Sequence, residues 1–456
     1  MEERNLTLLT DFYELTMMQG YFKSKSNERV IFDAFYRNNP SGNGFAICAG
    51  LEQLIEYIKN LHFEKDDIAY LREQKIFDED FLEYLAHFRF SGDIYAIPEG
   101  TVVFPMEPLV KVIAPIMEAQ LVETAILTII NHQSLIATKA ARVVFAAQGD
   151  GVMEFGLRRA QGPDAGTLGA RAAVIGGCIG TSNVLAAKQY DIPALGTHAH
   201  SWIMFFNNEY NAFKAYAKVY PNSTILLVDT YDVLKSGVPN AIRVAKEILE
   251  PNGYRLKGIR LDSGDLAYLS KKARKMLDEA GLTDCKIIAS DSLDEFTIQS
   301  LIIQGAKIDF FGVGERLITA KSDPVFGGVY KLCAVEEDGV FESRIKISEN
   351  IEKVTNPGLK RVWRIFNREG IGVGELLTLW DEDPREVNGS YEVVDTRNPY
   401  KKVILDHCSF SPLQKKFIEG GKPTALCTGL DDIETIRREL ATRLKYEVWE
   451  EEKRFE

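Results

Sequence analysis

Between residues 151 and 332 the chain repeats one pattern: a short apolar or β-branched run, a few small, polar or charged residues, then a stretch with helical periodicity. The runs are Gly151–Phe155, Ala173–Ile179, Ile192–Leu195, Ser223–Val228, Gly258–Leu261, Lys286–Ala289, Ile308–Val313 and Gly328–Leu332. Between them, Leu266–Ala280 has helical apolar spacing with Gly281 placed to end it. Ser292 and Glu295 form a capping-box pattern with Gly305 as the stop, and Pro239 suits a first helical turn. Eight strand candidates alternating with helices over roughly 180 residues predict an α/β fold built on a closed or nearly closed parallel barrel. The connection at Tyr190–Ile192 is short, so an irregular barrel is expected. Chemistry in such barrels gathers at the C-terminal strand ends. Nearly every predicted end here carries a charged or hydroxyl side chain, as in "EFGLRR", "GTSN", "GTHAH", "DTYD", "DSGD", "SDS" and "GER". Packing alone does not require that.

The flanks read differently. "DAFYRNNP" and "GDIYAIPEGTVVFPMEPLVKVIAP" predict a separate α+β unit over residues 1–128 with antiparallel strands. Residues 341–456 return to that style, so the expected organisation is 1–128, a barrel over 129–340, and a C-terminal segment that packs with the first unit. A net charge of −12 argues against non-specific nucleic-acid binding, because a phosphate backbone repels such a surface, yet it permits a local basic pocket. The six cysteines are scattered, without a CxxC, and read as thiols of a reducing compartment. "MEERNLTLLTDFYEL" lacks the order of a signal peptide, and no apolar run reaches the ~18 residues of a membrane helix. A cytoplasmic protein with no membrane partner is expected.

Two of the six histidines, His198 and His200, stand one residue apart in "GTHAHSW". A metal site, a general base, a phosphoryl acceptor and plain packing all fit that placement. An HxH at a barrel strand end matches the first ligand pair of metal-dependent hydrolases. Those sites need further ligands from later strand ends, and after His200 only His407 remains. Packing fits His198 better than His200, which sits among Thr197, Ser201 and strand-end acids. Backbone donors at Gly312, Gly314, Gly327 and Gly328 and a capped helix after Ser290, together with Arg158, Arg159 and Arg260, describe a pocket for a phosphorylated substrate. Asp262 and Asp265 in "RLDSGD" suit Mg²⁺, ribose hydroxyls or a developing positive charge, with helix capping an equal alternative for Asp265.

Five motifs in order, "LLTDFYELTMMQGYF", "EFGLRRAQG", "GTSNVLAAKQYDIPALGTHAHSW", "RLDSGDL" and "GVGERL", resemble the nicotinate phosphoribosyltransferase family over essentially the whole chain. The resemblance implies a type II phosphoribosyltransferase fold, an irregular α/β barrel joined to an α/β sandwich formed by both chain ends. It implies that nicotinate attacks the anomeric carbon of 5-phosphoribosyl 1-pyrophosphate, giving nicotinate mononucleotide and pyrophosphate for NAD salvage, with Mg²⁺ and with ATP hydrolysis coupled through a phosphohistidine. By motif, His200 is the phosphorylated residue and Asp262 and Asp265 are catalytic. The pyridine ring is expected between Phe155 and Tyr13, the latter from the neighbouring subunit of a homodimer. Arg158, Thr197 and Arg260 are expected at its carboxylate. Ser182 stands where nicotinamide-using relatives carry an aspartate, which favours nicotinate over the alternatives, nicotinamide and quinolinate. The sugar pyrophosphate is expected near Arg37, Lys139, Ser290, Asp291, Gly312, Gly314, Glu315, Lys353 and Lys360. Glu315 departs from the small hydroxyl residue common at its position, and Glu154 from an aspartate.

Overall fold

The computed structural model describes residues 4–42, 44–347, 355–386, 390–394, 400–428 and 432–446. The chain divides into two compact units, Ile136–Pro324 and Met1–Leu135 with Val325–Glu456. In the first of these, five of the expected runs pair in parallel: β1 (Gly151–Glu154), β2 (Ile225–Leu227), β3 (Gly258–Leu261), β4 (Lys286–Ala289) and β5 (Phe310–Val313). Their spatial order is β1-β5-β4-β3-β2. Ile259 stands between Leu226 and Ile287, and Phe311 between Ala289 and Val152. All of these side chains are buried, the signature of a parallel sheet covered on both faces. Single parallel bridges from Glu154 to Thr181 and from Thr181 to Ala194 carry the pairing beyond β1.

Two of the expected strands are corrected. Ala173–Ile175 closes a helix, Pro163–Ile175, because "GARAAVI" is rich in helix-forming alanine; beyond Gly176 and Gly177 only Thr181 bridges. Gly328–Leu332 lies in a longer strand, Gly328–Glu337, that pairs antiparallel with Arg29–Tyr36 in the other unit. Its half-buried side chains suit a sheet wetted on one face. The helix after β4 is also capped two residues later than the sequence pattern indicates. Asp294, not Ser292, accepts from the third amide, at Thr297 N (2.8 Å).

The second unit joins both chain ends in one seven-stranded antiparallel sheet. Its central strands are Gly328–Glu337, Arg29–Tyr36, Val110–Pro115 and Asp93–Ala96, with Lys415–Glu419 beyond them. A three-stranded sheet is built around Lys360–Phe366. Asp33, fully buried, accepts from Lys111 across the ladder and from Lys360 Nζ at 2.9 Å. Burial opposes the charge of Asp33, but the two ammonium groups overcome it and hold the carboxyl below its usual range. Lys360 is therefore committed to a buried ion triad and is withdrawn from the phosphate assignment. Among the described residues, no helix is long and apolar enough to cross a membrane.

Removing Asp33 strands two buried cations. Asp33→Ala is expected to cost about 3–5 kcal/mol, read as a lowered urea midpoint at constant slope. A loss below about 1 kcal/mol would mean that the triad contributes no more than surface pairs do.

Candidate active site

The C-terminal ends of the parallel strands converge on a cavity of about 500 Å³. Phe155 and Arg158 follow β1, and Ser182 follows the Thr181 bridge. Thr197 follows the Ala194 bridge, Arg260 and Asp262 lie at the end of β3, and Ser290 and Asp291 follow β4. Gly312, Gly314 and Glu315 complete the wall at β5. A parallel ladder points every strand the same way, which is why residues up to 160 positions apart in sequence meet here. Four guanidinium groups line it (Arg158, Arg159, Arg260 and Arg316) against three carboxylates, so the cavity is locally cationic in an acidic chain.

Phe155 owes its place to its neighbours. Glu154, fully buried, accepts from Thr181 Oγ1 at 2.5 Å and from the Gly156 amide, and burial pushes its carboxyl pKa up. A Cβ on Gly312 would meet the Phe155 ring at 2.6 Å, so the glycine leaves the slot that the ring fills. Arg260 Nη1 donates to Thr197 Oγ1 at 2.7 Å, while its buried Nε has no partner among the described residues. Burial lowers the arginine's pKa and Asp262 and Asp229 oppose that shift. After β4, Asp291 and Ser292 have φ of +95° and +49°, a strained conformation for non-glycine residues.

His200 opens a short helix, His200–Phe205. Its Nδ1 lies 3.1 Å from Thr230 Oγ1. Its Nε2 faces two carboxylates, Asp262 Oδ2 at 3.6 Å and Asp229 Oδ1 at 3.9 Å. The imidazole is 39% exposed, enough to meet a ligand, while Asp229 is only 1% exposed. Asp229 Oδ2 accepts from Asp262 N at 3.1 Å and Ser263 Oγ at 2.5 Å, which leaves buried Oδ1 turned to the histidine. Asp262 is itself fixed by Ser290 Oγ. Asp229 was not singled out from sequence. Its signal was present, an acid just past an apolar run in "LLVDTYD".

Other expected residues lie elsewhere. Asp265 caps the helix Leu266–Glu279, accepting from Tyr268 N at 2.9 Å, and does not line the cavity. Lys139 is buried and donates to Glu295 at 2.8 Å and Ser322 at 3.1 Å, so its charge is spent on structure. Tyr13 (exposed), Arg37 (half-buried) and Lys360 belong to the other unit, and Lys353 lies outside the described residues.

His198 has a separate role. Val228 N–H donates to Arg260 O at 3.1 Å, so by alternation the Leu227 N–H points to the free edge of β2. His198 Nε2 accepts it at 3.3 Å, and the ring packs edge-on against Tyr216. With Nε2 so occupied, the HxH pair is not a chelate, and among the described residues no cluster of histidine, cysteine, aspartate or glutamate is arranged to hold a metal ion. Burial pushes the His198 pKa down to about 4. A histidine depressed in the fold contributes stability that is lost as pH falls from about 6.5 towards 4, by at most ~1.4 kcal/mol per pH unit. His198→Ala leaves the Leu227 amide unpaired. It is expected to cost about 1–3 kcal/mol at pH 7 and to flatten the acid limb of stability, both read from thermal unfolding across pH.

Comparison with known proteins identifies the chain's relatives. The chain matches the nicotinate phosphoribosyltransferase (NAPRTase) N-terminal domain over residues 8–131, the NAPRTase family over 151–340 and the nicotinate phosphoribosyltransferase C-terminal domain over 359–456. It is 51% identical over 385 residues to nicotinate phosphoribosyltransferase of Bacillus subtilis, covering 84% of this chain and 78% of that one. Against the Dictyostelium discoideum nicotinate phosphoribosyltransferase it is 38% identical over 484 residues, covering 93% and 81%. The crystal structure of human nicotinic acid phosphoribosyltransferase superposes with a TM-score of 0.85 at 28% identity, over 97% of this chain and 95% of that one. With all three domain models matched in order and the cavity built from the central one, the chain belongs to the nicotinate phosphoribosyltransferase family.

Proposed function

We propose that this cavity converts nicotinate and 5-phosphoribosyl 1-pyrophosphate to nicotinate mononucleotide and pyrophosphate, coupled to ATP hydrolysis, in NAD salvage. The observation that carries the reading is the joint placement of Phe155, Arg260 and Asp262 on one cavity, with His200 behind Asp262 at 3.6 Å. Phe155 offers a flat face for the pyridine ring, and Arg158, Arg260 and Thr197 offer donors for its carboxylate. Ser182 adds no charge that would repel that carboxylate. Asp262 stabilises the oxocarbenium-like anomeric centre as the C–O bond to pyrophosphate breaks and the C–N bond forms. Mg²⁺ travelling with the pyrophosphate would neutralise the leaving group, and Asp262 and Asp291 are the cavity carboxylates suited to meet it.

For the ATP step, His200 Nε2 attacks the γ-phosphorus, the bond to ADP breaks, and water later releases inorganic phosphate. Thr230 holds Nδ1, and Asp229 and Asp262 orient the ring and offset charge on the imidazole. The parallel strands with their bridges at Thr181 and Ala194 form the open part of an irregular barrel, which His198 closes by taking the Leu227 amide. We assign the second ring contact to Tyr13 of a second copy in a cytoplasmic homodimer. The exposed Leu9, Phe12, Tyr13 and Met17 give that segment an apolar face for a partner.

The test is to measure mononucleotide, ADP and pyrophosphate with nicotinate and nicotinamide side by side. Nicotinate alone should support turnover, and use of both would overturn the role of Ser182. His200→Ala is expected to abolish ATP stimulation while retaining basal transfer; an undiminished ATP response would remove the phosphohistidine. Arg260→Ala should raise the nicotinate KM roughly 10- to 100-fold, the value of a charged hydrogen bond.

A further inference from the structure

All three carboxylates on the cavity have local partners, and two of them accept from a neighbouring serine hydroxyl. Asp262 is bonded by Ser290 and faces His200, and Asp291 accepts from Ser292 Oγ at 3.1 Å. Glu315 differs. Its Oε1 meets Lys321 Nζ at 3.2 Å, and its Oε2 lies 3.9 Å from Arg159 Nε. The three side chains are 49%, 55% and 61% exposed, so these contacts are weak and exchange partners readily. The adjacent Arg316 is tied instead to the largely buried Asp294 at 2.5 Å and is not available in the same way. Two exposed cations, Arg159 on the cavity wall and Lys321 beside it, thus share a single carboxylate.

We propose that Glu315 is a resident anion that competes with phosphate for Arg159 and Lys321, setting an affinity threshold that inorganic phosphate does not clear and the sugar pyrophosphate does. This rests on reading the cavity as the phosphoribosyl site. An incoming phosphate must displace the carboxylate, and the penalty is the same for any ligand that uses this subsite. Inorganic phosphate has only this anchor. 5-Phosphoribosyl 1-pyrophosphate also has its pyrophosphate and ribose to hold it, so a uniform penalty empties the site of the weak ligand and leaves the strong one bound. Weak, exposed pairing keeps the penalty small, because a buried salt bridge would block both ligands.

The test compares wild type, Glu315→Gln, Lys321→Gln and Arg159→Gln. Binding of inorganic phosphate is followed by thermal shift across phosphate concentration, and the KM for 5-phosphoribosyl 1-pyrophosphate by turnover. Glu315→Gln should tighten inorganic phosphate about fivefold (~1 kcal/mol) and lower that KM by a similar factor. Each cation variant should weaken phosphate binding. A Glu315→Gln protein that binds phosphate no more tightly than wild type overturns the proposal, as do cation variants with unchanged phosphate affinity. Should Glu315→Gln fail to fold, the cation variants decide alone. A wild-type protein that makes no mononucleotide, yet shows the phosphate contrast between variants, would remove the activity reading and the sugar-pyrophosphate half of this proposal, and leave only the competition of Glu315 with phosphate.

Discussion

A parallel ladder fixes direction before it fixes anything else. With β1 to β5 all running one way, every loop that leaves a C-terminal end emerges on the same side, however far apart the strands lie in sequence. Phe155, Arg260, Ser290 and Gly312 are therefore neighbours by topology rather than by mutual attraction. The buried apolar faces that hold the ladder together need contribute no chemistry. Apart from Lys286, which opens β4, the polar residues of the five strands fall in the last position or two of each, where the chain leaves the apolar layer and can be solvated or met by a ligand. Glu154 is the exception, a buried carboxyl that survives because Thr181 and the Gly156 amide both donate to it.

Much of this was legible from sequence because the relevant signal is local. Short β-branched runs, helical spacing over Leu266–Glu279 and the glycine at 281 each act over a few residues, and the elements they mark are present. The cavity residues from Phe155 to Glu315 were legible for the same reason, as strand-end residues. What failed depended on partners remote in sequence. Gly328–Glu337 has a strand's composition, but nothing in it reveals that its partner is Arg29–Tyr36 rather than the neighbouring strand of the repeat. Lys139 and Lys360 looked like phosphate ligands because a lysine gives no hint of a buried acid 156 or 327 positions away. Asp265 was ambiguous at the level of sequence, since an acid before a helix can cap it or serve a ligand, and here the Tyr268 amide takes it.

Asp229 shows a subtler limit. Its importance comes from geometry two steps removed: its Oδ2 positions the Asp262 backbone and the Ser263 hydroxyl, and only then does its Oδ1 face the imidazole. Strand-end acids were expected as a class. Which of them is buried and which lines the cavity depends on small differences in how far each apolar run extends.

The net charge of −12 runs against the proposed site for highly anionic ligands, but the length scales separate the two. At physiological ionic strength, exposed charges are screened beyond about 8 Å, so a ligand entering the cavity responds to the charges that line it and hardly at all to the distant surface. Inside, the balance is four guanidinium groups to three carboxylates, and the groups are not equivalent. Arg260 is partly desolvated and already fixed by Thr197, so its field is stronger and costs less to organise than that of a surface arginine. Asp262 is held by Ser290 and faces His200, whereas Glu315 is solvated and loosely paired. The positive charge that lines the cavity is therefore of two kinds, fixed at the desolvated Arg260 and exchangeable at the exposed Arg159.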